Sequence, residues 1–291
     1  MTSPNDKKNA KQDPTSSTTK KEAIQKDATA VKVVNCLKQR LKDKEKRILL
    51  ECGEDKAWGS ADVTKIDKKL VEGLGCQAIS IYAKDNMELV HTSKLKEKTY
   101  KVYKTVLELK IPADELVQVL YDINNIKSWN DSIVESTLLV SSKEIESSST
   151  DDSFDLVYNR IKEYTGMQSH DFVMIRRLNT LSNKSRMISS ISVDPSNLQL
   201  LSNHMKASFV PTTTLKKNVV RGFANPGGFL IENGSNNSTS KLTWFMNIYC
   251  HIPAGILGQA ISESFTKKEI QKLVMQLLQH LHMKKSASLK K

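Results

Sequence analysis

Gly73-Leu74-Gly75-Cys76-Gln77-Ala78 has the G-x-G-x-x-A spacing with which a dinucleotide-binding turn approaches a pyrophosphate. That chemistry needs a strand before the turn and a helix after it, so that helix N–H groups face the phosphate. Here a helical pattern precedes and a strand pattern follows, so the match carries no nucleotide. Ser264-Phe265-Thr266-Lys267 has the S-x-x-K form of an acyl-transfer serine, but no S-D-N or K-T-G partner exists and Ser264 falls mid-helix. Cys250 and His251 are strand neighbours and point to opposite faces, which excludes a nucleophile–base pair. His280 and His282 are two apart in a helical pattern and share no metal-binding face. Cys36, Cys52, Cys76 and Cys250 lack zinc-type or redox-type spacing and read as reduced thiols. An enzyme acting on a hydrophobic substrate would have to draw its acid–base pair from Asp155, Glu163 and His170. The residues therefore argue for no catalytic constellation, no metal and no cofactor.

The elements that would position such side chains follow from periodicity. Val31, Val34, Leu37, Leu41 and Ile48-Leu49-Leu50 recur at helical steps over 28–51, and a shorter helix is expected over 62–74. Strands at 79–82 and 87–91 flank Asp85-Asn86, read as a turn. A strand at 99–111 leads through Pro112 into a helix over 113–122. Strand runs follow at 133–141, 154–162, 171–180, 185–193, 218–224, 228–233 and 241–250, with 233–240 (NGSNNSTS) as a hairpin turn. His251-Ile252-Pro253 breaks the last strand. From about 254 to 283, Ile256, Leu257, Ala260, Ile261, Phe265, Ile270, Leu273, Val274, Leu277, Leu278 and Leu281 form one apolar face. The order implies α+β: a curved antiparallel sheet wrapped around a long C-terminal helix, an arrangement able to enclose an apolar ligand.

Of the 291 residues 38% are hydrophobic, enough for one sizeable core, and the shortfall lies at the ends. Residues 1–28 form a Lys/Ser/Thr-rich tail and 284–291 a basic tail; both are expected to be disordered, bracketing one domain over 29–283. The formal charge of +12 favours anionic surfaces. The basic residues are dispersed with no interleaved aromatic platform, which argues against a nucleic-acid partner. With no apolar run of about 18 residues and no apolar leader, a cytoplasmic location is expected.

Trp129-Asn130, Asp171-Phe172-Val173 with Arg176, Val220-Arg221-Gly222 before Asn225-Pro226, and Lys241-Leu242-Thr243-Trp244 occur in an order that resembles the START family of lipid-transfer domains, and within it the sterol-carrying subgroup. The resemblance covers roughly residues 30–283. It implies a helix-grip fold with one lipid in a tunnel between sheet and C-terminal helix, non-enzymatic carriage by a monomer, and transient contact with membranes. It also implies that Arg176 lies in the tunnel near an acid on the adjacent strand. The chain departs from that pattern: Val157 and Tyr158 stand where the acid is expected, and Asp155 is the nearest carboxylate. Asp155, the Tyr158 hydroxyl, water or the ligand itself are the candidate partners of Arg176, since a buried unpaired guanidinium is costly.

Strand alternation puts Phe172, Met174 and Arg176 on one face, and Trp244 and Met246 likewise; it does not fix which face is inward, and with these faces turned in they are the expected wall residues, with Ile256, Ala260 and Leu273 on the helix side. The stretch 194–217 is long for a connection and corresponds to the family's Ω-loop. Its Leu198, Leu200, Leu201, Met205 and Phe209 are expected to form a lid that touches the bilayer, with Lys206, Lys216 and Lys217 near anionic headgroups.

Overall fold

The computed structural model describes residues 28–53, 58–60, 68–86, 100–141, 153–164, 168–204, 218–249 and 256–288. Helix α1 spans Ala28–Gly53 and α2 Lys68–Gly73. Strand β1 is Gly59–Ser60, β2 Cys76–Asn86 and β3 Tyr100–Leu109. Helix α3 (Ala113–Tyr121) starts after Pro112, and α4 is Ile126–Trp129. Four strands follow: β4 (Ile133–Ser141), β5 (Ser153–Ile161), β6 (Ser169–Thr180) and β7 (Arg186–Ser192). Helix α5 is Pro195–His204. Then come β8 (Val219–Arg221), β9 (Phe223–Ala224), β10 (Gly227–Asn233), β11 (Ser240–Met246) and β12 (Ile248–Tyr249). The C-terminal helix α6 runs Ile256–Ser288.

The main sheet has the order β1-β2-β3-β11-β10-β7-β6-β5-β4, with β8 pairing β6 in parallel. Neighbouring strands along this path are antiparallel, and register shifts at Cys76/Ala78, Ile133/Glu135 and Leu138/Val140 mark bulges that bend the strands. The curved sheet and the C-terminal helix are the α+β architecture expected from the element order.

Alternation along the strands creates two apolar layers. On the concave side Ile81, Tyr103, Leu107, Ile188, Ile231, Leu242 and Met246 pack with Ile270, Val274, Leu277, Leu278 and Leu281 of α6 and with Leu116, Val117 and Leu120 of α3. On the convex side Val33, Val34, Leu37 and Leu41 of α1 cover Phe154, Leu156, Val173, Ile175 and Ile191. Near the end of α1, Ile48 and Cys52 join Trp58, Val102, Met187 and Phe245. The sheet is thus covered on both faces. Among the described residues no helix is long and apolar enough to cross a membrane.

Three expectations change. Asp85 and Asn86 are not a turn: they continue β2 and pair with Lys101 and Tyr100 of β3. The strand expected at 87–91 lies outside the described residues. Helix α6 continues past Met283 to Ser288, with Lys285 donating to the Lys110 carbonyl at 3.3 Å; a cation suits a helix C-terminus. The stretch after β7 opens with a helix. Asp194 caps it, its Oδ1 accepting from Asn197 N at 2.9 Å and Ser196 Oγ at 2.6 Å, and Pro195 occupies the first turn.

Candidate functional site

Asp155 and Arg176 face each other in the β5–β6 ladder, and Arg176 Nη2 donates to Asp155 Oδ2 at 3.0 Å. The departure from the family pattern is therefore resolved by register. Val157 lies opposite Met174, whereas Asp155 is the direct neighbour of the arginine. Both side chains are buried, exposed by only 9% and 10%. The Tyr121 ring at the end of α3 lies under the guanidinium, whose carbon is 4.1 Å from the ring centroid. Burial, and after it the Asp155 charge, pushes the Tyr121 hydroxyl pKa upward, so it stays protonated. The result is a neutral polar cluster of one cation, one anion and one phenol, with guanidinium, carboxylate and hydroxyl groups able to orient a small uncharged polar group.

Around it the concave wall is apolar. Met174, Leu178, Phe229 and Trp244 are half-buried in strands that have neighbours on both sides. Their remaining accessible surface therefore belongs to the space above the sheet. Trp129 meets Trp244 edge-on at 6.1 Å between ring centroids, and Phe229 flanks it at 5.2 Å. Trp129-Asn130 thus earns its place as a motif: Trp129 packs on the wall, and Asn130 Oδ1 accepts from Ser132 N at 3.2 Å to turn the chain into β4. Phe172 is buried beside Gly222, where an added Cβ would overlap its ring, which accounts for the glycine after Val220-Arg221. Arg221 is held by Asp171 through Nε–Oδ1 at 2.6 Å and Nη2–Oδ2 at 3.1 Å.

Of the expected wall residues, Phe172, Met174, Arg176, Trp244, Met246 and Asp155 share the concave side. Leu273 is half-buried on α6, while the side chains of Ile256 and Ala260 lie outside the described residues. Tyr158 is not a wall residue. It stands an odd number of positions from Asp155, faces the convex side, and packs on the α1 cluster. Its hydroxyl is pushed up to about 12, chiefly by burial and then by Asp171. Leu198 and Leu201 are also corrected: at 3% and 0% exposure they belong to the core under α1, because α5 turns one face inward. Leu200 is 40% exposed, and Met205 and Phe209 lie outside the described residues.

Tyr121 escapes the sequence reading, although it lies one helical turn beyond Val117 on the apolar face of α3. Glu45 escapes it too; it interrupts the apolar row Leu37, Leu41, Ile48, a position that calls for a buried partner.

A START domain family model matches residues 79–286. The human StAR-related lipid transfer protein 5 superposes with a TM-score of 0.60 at 13% identity, covering 86% of this chain and 98% of that one. Human STARD10 gives a TM-score of 0.56 at 15% identity, covering 84% and 81%. No curated protein sequence matches the chain.

Proposed function

The chain belongs to the START domain family, and from that membership we propose that it carries one lipid between its concave sheet face and α6 without covalent chemistry, the preferred cargo being a sterol. The observation that carries the cargo reading is the Asp155–Arg176–Tyr121 cluster on an otherwise apolar wall. Because Asp155 already balances Arg176, an anionic headgroup would find no uncompensated positive charge and would be repelled by the carboxylate, whereas a hydroxyl finds both donor and acceptor. The rings and chain of such a lipid gain about 25 cal/mol for each Å² of apolar surface buried. That one human structural neighbour is a lipid transfer protein supports the same direction.

Carriage rather than catalysis is supported by where the acid–base candidates stand. Asp155 is engaged by Arg176. His170, opposite Ile161, lies six ladder positions from Asp155, roughly 20 Å along the strands. Glu163 is exposed. Transfer also requires a membrane encounter, for which Leu200 on α5 is, among the described residues, an exposed apolar side chain of the expected lid.

Mass spectrometry of lipid co-purified with the protein tests the cargo, and a fluorescent sterol moved between vesicles tests the carriage. One sterol bound per chain, with transfer, is expected. A phospholipid or fatty acid as the dominant bound species overturns the sterol assignment; failure to bind sterol, phospholipid or carotenoid overturns carriage itself. Leu200→Ser should slow transfer to anionic vesicles while bound lipid stays in place, and an unchanged rate removes Leu200 from membrane contact.

A further inference from the structure

Helix α1 turns one face into the convex cluster and leaves the other outside. Lys32, Asn35, Gln39, Lys42, Lys46 and Leu50 are all exposed and follow one another at steps of three and four residues. They form one stripe along the helix, about 27 Å long at a rise of about 1.5 Å per residue. Lys44 and Arg47 stand half-buried at its flanks, and Asp43 is the acid beside it. Two further charges of α1 are engaged: Arg40 Nη1 donates to Asp194 Oδ2 at 3.1 Å, and Lys84 of β2 pairs with Glu51. Outside the core, Lys32, Lys42, Lys44, Lys46 and Arg47 therefore stand against Asp43, an excess of positive charge. Helix α5 lies against α1, with Leu198 and Leu201 buried in the same cluster as Val33, Val34, Leu37 and Leu41. Two helices that bury one face in a common layer present their other faces to the same side of the sheet. Leu200 stands on that outer face of α5, 40% exposed, and Leu50 ends the α1 stripe at 56%.

We infer that this α1–α5 face is a docking surface for an anionic bilayer; the inference deepens the membrane encounter of the carriage reading above and rests on it. The lysines meet anionic headgroups, and each adds an attraction that weakens as salt rises. Their long stems keep the ammonium groups at headgroup level while Leu50 and Leu200 reach the acyl boundary. A nucleic acid would satisfy the lysines and leave both leucines in water, and the stripe offers no aromatic ring for a base to stack on. A second copy set face to face would bring the same lysines against each other. A bilayer with anionic headgroups suits the lysines and the leucines together. Helix α5 also opens the 194–217 connection, so the surface is continuous with the expected lid. None of the concave wall residues belongs to it, and the sheet stands between. Docking and cargo binding are therefore separable by substitution.

The test sediments full-length protein with two kinds of vesicle, pure phosphatidylcholine and phosphatidylcholine mixed with phosphatidylserine. Wild type is expected to bind the mixed vesicles and to leave them as salt rises. Lys32→Gln/Lys46→Gln should weaken that binding about tenfold. Leu50→Ser should weaken it about threefold and leave the salt dependence unchanged. Lys127→Gln/Lys268→Gln removes the same charge from exposed positions on α4 and α6, which pack on the concave side, and should bind as wild type. Every variant keeps the Lys-rich ends of the chain, so their contribution cancels in the comparison. Unchanged binding in Lys32→Gln/Lys46→Gln, or equal weakening in Lys127→Gln/Lys268→Gln, overturns the inference, as does equal binding of wild type to both vesicles. A dimer in sedimentation velocity that Leu50→Ser dissociates makes the face an interface between copies and overturns it too. Cargo is decided separately, by fluorescent sterol binding in solution, which should be the same in wild type and in all these variants. Wild type that docks but carries no lipid removes the carriage reading and leaves the docking surface; wild type that carries lipid but does not dock does the reverse.

Discussion

Gly222 and Phe172 show how close the concave wall is to its packing limit. An alanine at 222 would press its methyl into the ring, and the buried phenyl has little room to yield. Gly222→Ala should destabilise the protein by about 1–3 kcal/mol, read from a lower urea midpoint at unchanged slope. Asp155 is a different kind of residue, one whose value depends on its partner. Asp155→Ala strands the Arg176 cation in a buried setting and should cost about 3–5 kcal/mol, whereas Asp155→Ala combined with Arg176→Met should recover most of the loss. Denaturation of the two variants checks this; equal loss in both would mean that the pair is not the unit. Alternation groups Arg176 with Phe172 and Met174 on one face of the strand, and it is the family resemblance that turns that face toward the ligand side. Its partner is not readable, because the β5–β6 register depends on how 162–168 turns, which no periodic pattern encodes. The same missing register puts Tyr158 on the wrong face in the sequence reading.

At the level of elements, α6 is tied to the start of the sheet by a small polar latch. Asp131, just after α4, receives Lys272 of α6 at 2.7 Å and Lys162 at 3.1 Å, and its backbone N–H donates to Gln276 at 3.5 Å. Tyr164 Oη donates to Glu269 of the same helix at 3.0 Å. Partial burial works to raise the Asp131 pKa, but the hydrogen bonds from Lys272 and Lys162 outweigh it and hold the carboxyl at about 2, below its ordinary 3.8. A carboxyl lowered on folding stabilises above its unfolded pKa and loses that contribution as pH falls from about 4 to about 2. The group is well exposed, so the stake is under about 1 kcal/mol. Asp131→Asn should therefore be slightly less stable than wild type at pH 6 and indistinguishable from it near pH 2; a gap that persists at pH 2 would assign the effect to packing. The elements themselves are largely legible: β4 is readable to the residue, and the α6 stripe places Ile270, Val274, Leu277, Leu278 and Leu281 in the core. Helix α5 is not, because the length of 194–217 makes it read as one loop, although Asp194-Pro195 already carries a helix-start signal.

Across the whole molecule the sheet separates two apolar layers, and the proposed carriage puts the lipid in the concave one alone. Opening α6 would expose the concave layer and leave α1 seated on the convex one, so the two should differ in local stability. Two cysteines report on them independently. Cys76 lies in the concave cluster with α6, and Cys52 lies in the convex cluster beneath the end of α1. Burial raises both thiols, Cys76 to about 11 and Cys52 to about 12, so neither reacts from the closed state. Exposed Cys36 on α1 serves as the fast reference. Peptide-level labelling with a thiol reagent should give the order Cys36, then Cys76, then Cys52, with Cys52 reacting at the rate set by global unfolding. Bound lipid should slow Cys76 much more than Cys52, since it stabilises the layer it fills. The difference does not arise from the thiol pKa values, because an opened site returns each thiol to water. If Cys76 and Cys52 react together with and without lipid, the molecule opens as one unit, and cargo exchange cannot proceed by displacing α6 alone.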